Sequence, residues 1–275
     1  MERLDSRLLM AQRKDHHPVQ PGNYNQPSTD QVGYIQGEHA VAGFGCRGFY
    51  VALIPRAEAN RIIMAHHYSG RIVANSYIHL GCWVDGVMRG VLQLGYAMNP
   101  VAGAQKIVAG TEVDQYLELN RMWFDDIAPR NSESRAISYA FKLIKRICPR
   151  VAWVQSFADE RCGGWGVVYQ AANFLYFGHH RTSFYELDGE TYHEMLLTTG
   201  KKGGGRGHYL RQNIDRATRR SLLQFRYIYL IKPAWRSRFK KLPLPFPKPG
   251  QPLPDRRKCR QSRMPNVPRK TDMAT

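Results

Sequence analysis

Two consecutive histidines and a tyrosine form the first stretch that could move protons. His66, His67, Tyr68 and Ser69 are adjacent. Histidine can accept a proton near neutral pH, bind a metal or hydrogen-bond a base, and tyrosine can stack on a base or pass a proton. The stretch also ends a predicted helix, where a charged imidazole could simply complement the helix dipole. The pattern leaves both interpretations open.

Asp159 is the second candidate. It closes the apolar run VAWVQSFAD, so we expect it at the carboxyl end of a strand, the edge at which ligands gather in open α/β sheets. A carboxylate there can orient an imidazole, take a proton from an amino group or ligate a metal. The alternative is a cap for the next helix, and Ser156, three residues earlier, is a secondary candidate.

Polar side chains interrupt the strand predicted over QYLELNRMWF. Glu118 and Asn120 share one face and Arg121 lies on the other, so the three can line one pocket only if the strand is bulged or splayed. Polar groups in a buried strand need partners. They either hold a ligand or form a structural Arg–Glu network.

The helix after this strand begins with a loop that has no glycine, APRNSESRA. Phosphates usually bind at helix starts on glycine-rich loops. Asn131 and Ser132 are good N-caps, and we expect their side chains to occupy the N–H groups that a pyrophosphate would need. Ser134 and Arg135, one turn further, could still bind a carboxylate, an amide or a DNA phosphate.

Strands and helices alternate around these residues. FYVALI is predicted as a strand, Pro55 opens a helix over RAEANRIIMAHH, and Asp85-Gly86 turns a hairpin. SESRAISYAFKLIKRI is an amphipathic helix, GVVYQAANF a short helix and YFGHHRTSFYEL a strand. The order predicts a mixed α/β core over residues 48–200, after a polar arm at residues 1–47.

Positive charge is confined to the end of the chain. Residues 1–200 carry 19 basic and 19 acidic side chains, whereas residues 201–275 carry 21 basic and 3 acidic ones, which accounts for the net charge of +18. We interpret residues 201–242 as a basic helix–strand extension that binds nucleic acid and residues 243–275 as a disordered basic tail. A solubilising tail is the alternative. The candidate phosphate contacts are Arg216, Arg219 and Arg220, at helical spacing, and then Arg226, Lys232, Arg236 and Arg238.

Several classes of protein are disfavoured. No apolar run approaches the ~18–20 residues of a membrane span, and the N-terminus is too charged for a signal peptide. The five cysteines are scattered and form no Cys-x-x-Cys pair. This favours a reducing cytosol over a disulfide framework or a zinc ribbon.

Four long blocks resemble the Mom proteins of bacteriophages, in the same order and over roughly residues 62–239: HHYSGRIVANSYIHLGCWVDGVMRGVLQLG, LELNRMWFDDIAPRNSESRAISYAFKLIK, WVQSFADERCGGWGVVYQAANF and QFRYIYLIKPAWRSRF. The element order is also that of the GNAT acyltransferase fold. The resemblance implies a GNAT-like, mostly antiparallel central sheet flanked by helices. It also implies an enzyme that adds a carbamoylmethyl (acetamido) group at N6 of adenine in DNA, which protects the DNA from host restriction.

The resemblance also nominates residues for each role. It implies His67, Tyr68 and Asp159 as catalytic residues and Tyr169 as the general acid that protonates a leaving thiolate. On helical spacing alone, Tyr169 is equally well a core aromatic. The candidate donor-binding residues are Glu118, Asn120, Arg121, Ser132, Ser134 and Arg135. GNAT enzymes that use acetyl-CoA have glycines in the loop that reads PRNSESRA here, and this departure puts ordinary coenzyme A binding in doubt.

Cofactors and partners follow from the same resemblance. A coenzyme A thioester and a glycine-derived donor are both conceivable. Iron is implied, with His67 and Asp159 as ligands and with His66, His79 and Cys162 as further ligand types. The partner is double-stranded DNA with the target adenine flipped out, in the cytoplasm of the bacterial host. The oligomeric state is open, a dimer included.

Two other functions remain compatible with the sequence. A conventional GNAT acetyltransferase acting on an amine would bind acetyl-CoA tightly. A non-catalytic phage DNA-binding protein would explain the basic extension but not the polar residues of the neutral body.

Overall fold

The computed structural model describes residues 34–36, 39–41, 43–46, 48–97, 100–160, 164–198 and 205–254. Its helices are α1 (Arg56–His66), α2 (Pro100–Gln105), α3 (Ser132–Ile147), α4 (Val167–Ala171) and α5 (Arg206–Gln212). Its strands are β1 (Tyr34–Gln36), β2 (His39–Val41), β3 (Gly43–Cys46), β4 (Phe49–Leu53), β5 (Ser76–Val84), β6 (Val87–Gly95), β7 (Tyr116–Phe124), β8 (Trp153–Asp159), β9 (Leu175–Leu187), β10 (Glu190–His193) and β11 (Thr218–Leu230). Among the described residues, no helix is long and apolar enough to cross a membrane.

A nine-stranded sheet organises the protein, in the order β10-β9-β11-β8-β7-β6-β5-β4-β3. Only β7 and β8 run parallel, and every other pair in this sheet is antiparallel. The hairpin between β5 and β6 turns at Asp85 and Gly86, both with positive φ, as a tight hairpin turn requires. The predicted mixed, mostly antiparallel sheet is confirmed.

Helices cover both faces of this sheet. On β4, Tyr50 and Ala52 pack with the apolar residues of α1, whereas Phe49 and Val51 pack with those of α3, because alternate residues of a strand point to opposite faces. We call these sides the α1 face and the α3 face. The amphipathic pattern of α3 predicted its buried stripe correctly: Ile137, Ala140, Leu143, Ile144 and Ile147 are all buried.

The central parallel pair diverges after a short contact. β7 and β8 pair only from Tyr116 to Glu118 and from Trp153 to Gln155, although both strands continue beyond that point. On its other side β7 carries a bulge, since Arg121 pairs with Gln93 and Leu119 with Leu94. The expected bulge and splay are therefore both present, and they open the sheet beside Glu118.

The basic segment enters the sheet instead of following it. β11 lies between β8 and β9, so residues 218–230 belong to the central sheet. The helix expected from the helical spacing of Arg216, Arg219 and Arg220 is shorter than predicted: α5 ends at Gln212 and is followed by a short 3-10 turn over residues 214–216. Arg219 and Arg220 lie on β11 and are not at helical spacing, because pairing with β9 holds this segment extended.

The structure also extends into the predicted N-terminal arm and the predicted C-terminal tail. Residues 43–46, within the predicted arm, form β3 and pair with β4. Leu244, within the predicted tail, is buried and its N–H donates to the carbonyl of Tyr176 at 2.8 Å. Residues 1–33 and 255–275, where the rest of the arm and the tail were predicted, lie outside the described residues.

Candidate functional site

Arg71 connects two strands that are four positions apart in the sheet. Its carbonyl accepts a hydrogen bond from Nε of Arg121 on β7 at 3.1 Å, and its guanidinium binds Glu190 and the carbonyl of Thr191 on β10. In a flat sheet these strands would lie about 19 Å apart, and the side chains of Arg121 and Arg71 together bridge this distance on the α1 face. We call the surface that lies beneath this bridge, between β7 and β10, the concave face.

His67 begins the loop between α1 and β5, the His67 loop (residues 67–75). The side chain is buried, and its Nδ1 accepts a hydrogen bond from the backbone N–H of Ser69 at 3.1 Å and lies 2.8 Å from the Ser69 hydroxyl. In the neutral imidazole the proton therefore resides on Nε2. His67 offers a hydrogen-bond donor from Nε2, and Nδ1 is not available as a base.

Aromatic rings surround His67. The Tyr68 ring lies 4.2 Å from that of His67, and Tyr68 is 58% exposed. His66 turns instead to Trp123 on β7, with ring centroids 4.7 Å apart. The structure thus keeps His67 and Tyr68 together, as predicted, and gives His66 a packing role that fixes the end of α1 against β7.

Glu118 is held by two amides beside the divergence of β7 and β8. Gln155 donates to its carboxylate at 2.7 Å and Asn120 at 3.2 Å. Burial raises the pKa of Glu118, and the two hydrogen bonds oppose this shift. Asn120 also accepts from the hydroxyl of Ser76 at 3.0 Å. Glu118 and Asn120 therefore share one network, and Gln155 is a member that the sequence did not identify.

Asp159 is buried at the carboxyl end of β8, as predicted. By alternation it shares its face with Gln155 and Phe157, and Gln155 pairs with Glu118. Asp159 and Glu118 thus belong to the concave face. Reading β8 with a period of two would have found Gln155 and Phe157 from the sequence alone.

Tyr169 lies on the opposite face. It is buried in the α3-face core, with its ring 5.3 Å from Phe174 and 5.4 Å from Tyr227. Tyr169 thus lies where the interpretation as a core aromatic places it. A role as general acid would require access through the divergence of β7 and β8.

The start of α3 is built differently from the expectation. Asn131 takes the left-handed conformation, φ 67°, and no side chain caps the helix. Ser132 is buried and donates to the carbonyl of Pro129 at 2.5 Å, and Ser134 donates to the carbonyl of Asn131 at 3.1 Å. Asn131 thus occupies the N-cap position, as predicted, but the expected side-chain caps are absent. In the first turn, the N–H of Ser132 donates to the carbonyl of Pro129 at 3.1 Å instead.

A cleft of about 760 Å³ opens at this helix start, the α3 cleft. Arg130, Ser134 and Arg135 line it. The Arg135 guanidinium donates to Sγ of Cys46 at 3.0 Å and lies 4.3 Å from the ring centre of Phe49. The positive side chains and the uncapped helix start suit an anionic ligand. The glycine-free loop therefore does not block the cleft.

The described residues do not assemble a metal site. No three histidine, cysteine or acidic side chains among them converge as ligands. His79 is buried against Gln93, at 3.1 Å, and burial, with a smaller effect of Arg56, lowers its pKa to about 4. Cys162 lies outside the described residues. Iron at His67 and Asp159 stays a prediction, and no step is assigned to iron.

The candidate phosphate contacts are paired with carboxylates or stacked on rings. Three ion pairs lie where β9 ends and β11 begins: Arg216–Asp188 at 2.6 Å, Arg219–Glu194 at 3.3 Å and Arg220–Glu186 at 3.1 Å. Arg226 and Arg238 lie over the rings of Phe157 and Trp235, at 5.1 and 4.1 Å. Lys232 is half-buried and Arg236 exposed. Such exposed ion pairs are weak, so phosphates can replace the carboxylates.

Comparison with known proteins gives one family and one relative of high similarity. The model of the Mom protein family matches residues 48–248. The chain is 50% identical over 216 residues to a protein of Escherichia phage Mu named methylcarbamoylase mom, which covers 77% of this chain and 89% of that protein.

Solved acetyltransferases are among the structures that match this chain, at low sequence identity and with TM-scores below 0.5. A putative acetyltransferase of Salmonella typhimurium with acetyl-CoA matches with a TM-score of 0.40 and 9% identity, over 68% of this chain and 95% of its own. A ribosomal-protein-S5-alanine acetyltransferase of Vibrio fischeri matches with a TM-score of 0.42 and 8% identity, over 70% and 97%. The fold described above rests on the strand order and not on these two matches.

Proposed function

The chain belongs to the Mom protein family, and on that premise we propose that it is a transferase that attaches a carbamoylmethyl group to N6 of adenine in phage DNA. The modification would protect the DNA from restriction nucleases of the host. The observation that carries the proposal is the 50% identity to the phage Mu protein named methylcarbamoylase. The polar groups gathered on the concave face support it.

The chemistry requires an amino group to be made nucleophilic. The lone pair of N6 is delocalised into the adenine ring, so a new N6–carbon bond forms readily only if an N6 proton is accepted. Asp159 can take that proton while the bond between the transferred CH₂ carbon and the rest of the donor breaks, and the leaving group departs with the electron pair of that bond. His67, with its proton on Nε2, can donate a hydrogen bond to the carbonyl of the carbamoyl group, which would orient the transferred CH₂ toward N6.

The donor would be held at the α3 cleft. Arg130, Arg135 and the uncapped start of α3 suit an anionic donor, and an acyl-CoA and a glycine-derived donor are the two candidates. The α3 cleft and the concave face lie on opposite faces, and the divergence of β7 and β8 after Glu118 and Gln155 supports a passage between them.

Reaching N6 requires an extruded base. N6 points into the major groove, and enzymes that act on a base usually take it out of the stack. A concave face suits a single extruded nucleotide better than an intact duplex. Arg216, Arg219 and Arg220 would hold the flanking phosphates.

Mass spectrometry of nucleosides from host DNA tests the proposal. Expression of the protein should produce a modified deoxyadenosine, which should disappear with His67→Ala and with Asp159→Asn. His208→Ala is a matched control, because His208 is exposed on α5. An unchanged nucleoside profile with folded, expressed wild-type protein would refute the proposal.

A conventional acetyltransferase is the second candidate function. The uncapped start of α3 favours it, since that is the feature of the cleft that a pyrophosphate would use. Calorimetric titration with acetyl-CoA, followed by an acetylation assay on amines, separates the two. Tight binding together with acetylated amine, and no modified deoxyadenosine, would favour this candidate.

A further inference from the structure

Two rows of side chains cross β8, β11 and β9 on the concave face. The register places Asp159 opposite Gln224 and Gln224 opposite His180. The neighbouring row places Phe157 opposite Arg226. Both rows lie on one face, because the Phe157 ring lies 5.1 Å from the Arg226 guanidinium and 5.7 Å from the His180 ring. We call these five residues the cross-strand patch.

A bulge opens the sheet next to the patch. Between its pairs with Phe225 and Tyr227, β9 places two residues, Phe177 and Gly178, opposite the single Arg226. Gly178 has φ 96°, a conformation that suits glycine. A cavity of about 590 Å³ lies here, lined by both residues, Arg226 and His180. Its volume falls in the ~300–1,000 Å³ range of small-ligand sites.

The first row presents an acceptor beside a donor. The Thr182 hydroxyl donates to Oε1 of Gln224 at 3.1 Å, so the amide of Gln224 presents its NH₂ group. The carboxylate of Asp159, directly across from it, accepts hydrogen bonds. An acceptor next to a donor matches the edge of adenine, where the N6 amino group donates and the ring nitrogen N1 or N7 accepts. Guanine and hypoxanthine present a keto oxygen at this position, which the carboxylate repels.

The second row presents a flat surface. Phe157 is half-buried in the middle of β8, and the Arg226 guanidinium packs against it. Aromatic rings and guanidinium planes are the groups on which proteins stack unpaired bases. Burial, then Arg226, lowers the pKa of His180, so its ring is neutral at physiological pH and does not repel the guanidinium.

We propose that the cross-strand patch is the site that recognises the extruded adenine. Phe157 and Arg226 stack on the base, Gln224 donates to N1, and Asp159 accepts from the N6 amino group. Asp159 then selects an amino base over a keto base, and Gln224 adds to this selection because N1 accepts a hydrogen bond in adenine but carries a proton in hypoxanthine. The inference rests on the proposed function for its substrate, but it concerns binding and can be tested without turnover.

Fluorescence anisotropy with the full-length chain tests this assignment. The probes are two labelled single-stranded oligothymidines, one with a central run of adenines and one with hypoxanthine in their place. Wild-type protein should bind the adenine probe about tenfold more tightly. Gln224→Met should lower this ratio about fivefold, the value of one hydrogen bond, because Asp159 still distinguishes the two bases. Gln251→Met, at an exposed position, should preserve the ratio. Phe157→Leu should weaken both probes about tenfold and keep the ratio. Unchanged melting curves would show that each variant folds.

The outcomes separate the inference from the function. Equal binding of both probes by wild-type protein, or an unchanged ratio in Gln224→Met, overturns the inference even if DNA is modified in cells. A ratio that depends on Gln224 supports it even if no modified nucleoside is found. Coenzyme A also contains an adenine. Competition by coenzyme A that Gln224→Met abolishes would assign the patch to the donor and overturn the assignment to DNA.

Discussion

The backbone N–H of Ser69 donates to Nδ1 of His67 at 3.1 Å, and the Ser69 hydroxyl lies 2.8 Å from the same nitrogen. Two polar groups two residues further along the chain thus fix both the ring orientation and the tautomer of the imidazole. A histidine at a helix terminus would complement the dipole without any such arrangement, so the contact favours a functional His67.

Ser69→Ala tests this relationship. The variant keeps the backbone donor but loses the hydroxyl, and we expect DNA modification to slow about fivefold, the value of one hydrogen bond. Ser69→Thr should retain the rate. Modified deoxyadenosine is measured by mass spectrometry across a pH series. An unchanged rate and pH profile in Ser69→Ala would show that the hydroxyl does not position His67.

Glu190→Gln tests the connection between the His67 loop and β10. Glu190 binds both Arg71, in the His67 loop, and Arg206, at the start of α5. Arg206 first and Arg71 second lower the pKa of Glu190. These ion pairs are therefore intact above the ordinary pKa range of glutamate and are lost as the pH falls through the lowered value. Glu190→Gln should lose them at every pH and keep only the contact of Arg71 with the carbonyl of Thr191.

Amide hydrogen exchange followed by mass spectrometry measures this effect. At neutral pH, peptides from the His67 loop should exchange faster in Glu190→Gln than in the wild type. Glu186→Gln is the matched control, since Glu186 pairs with Arg220 at the same end of the sheet and does not touch the loop. Equal exchange in the two variants would contradict the proposed role of Arg71.

How far the sequence predicts this structure depends on the range of the contacts. The alternation of strands and helices and the buried stripe of α3 were readable because they are local patterns. The position of β11 was not, because its pairing with β8 and β9 joins segments that are far apart in the chain. Gln224 therefore became a candidate only when the register was known, whereas Phe157 follows from the period of two along β8.

At the start of α3, the residue types are compatible with more than one local arrangement of hydrogen bonds. Asparagine and serine favour N-caps, and this preference predicted capped N–H groups. Asn131 instead adopts a left-handed backbone conformation, and the hydroxyl of Ser132 turns to Pro129. Both arrangements satisfy the side chains, and the sequence does not distinguish them.

Glu118→Gln should separate stability from function. Burial raises the pKa of Glu118, so the folded state binds a proton more tightly than the unfolded state does. Stability then falls as the pH rises from the ordinary glutamate pKa through the raised value. The amide removes this dependence, and each ~1 kcal/mol regained at neutral pH raises Tm by about 2–4 °C.

The same variant should lose modification activity about tenfold, because the amide cannot accept from both Gln155 and Asn120 as the carboxylate does. Thermal melts at acidic and neutral pH and nucleoside mass spectrometry provide the two measurements. A lower Tm at neutral pH in Glu118→Gln would mean that the network stabilises the charged form more than burial penalises it.

The arginines that are paired with carboxylates around the start of β11 predict how DNA binding depends on salt concentration. If Arg216, Arg219 and Arg220 bind phosphates, replacing each with glutamine should reduce the slope of log affinity against log salt by about 0.9. Their carboxylate partners, Asp188, Glu194 and Glu186, compete with DNA for the same guanidinium groups. Neutralising an acid should therefore have the opposite effect from neutralising its arginine.

Duplex binding by fluorescence anisotropy across a salt series measures both effects. Asp188→Asn should tighten binding at low salt, whereas Arg216→Gln should weaken it. The double variant should bind no more tightly than Arg216→Gln alone, because the carboxylate acts only through the guanidinium. If Asp188→Asn tightened binding equally with and without Arg216, the acid would act through the general charge of the surface, and this end of β11 would not be a specific phosphate contact.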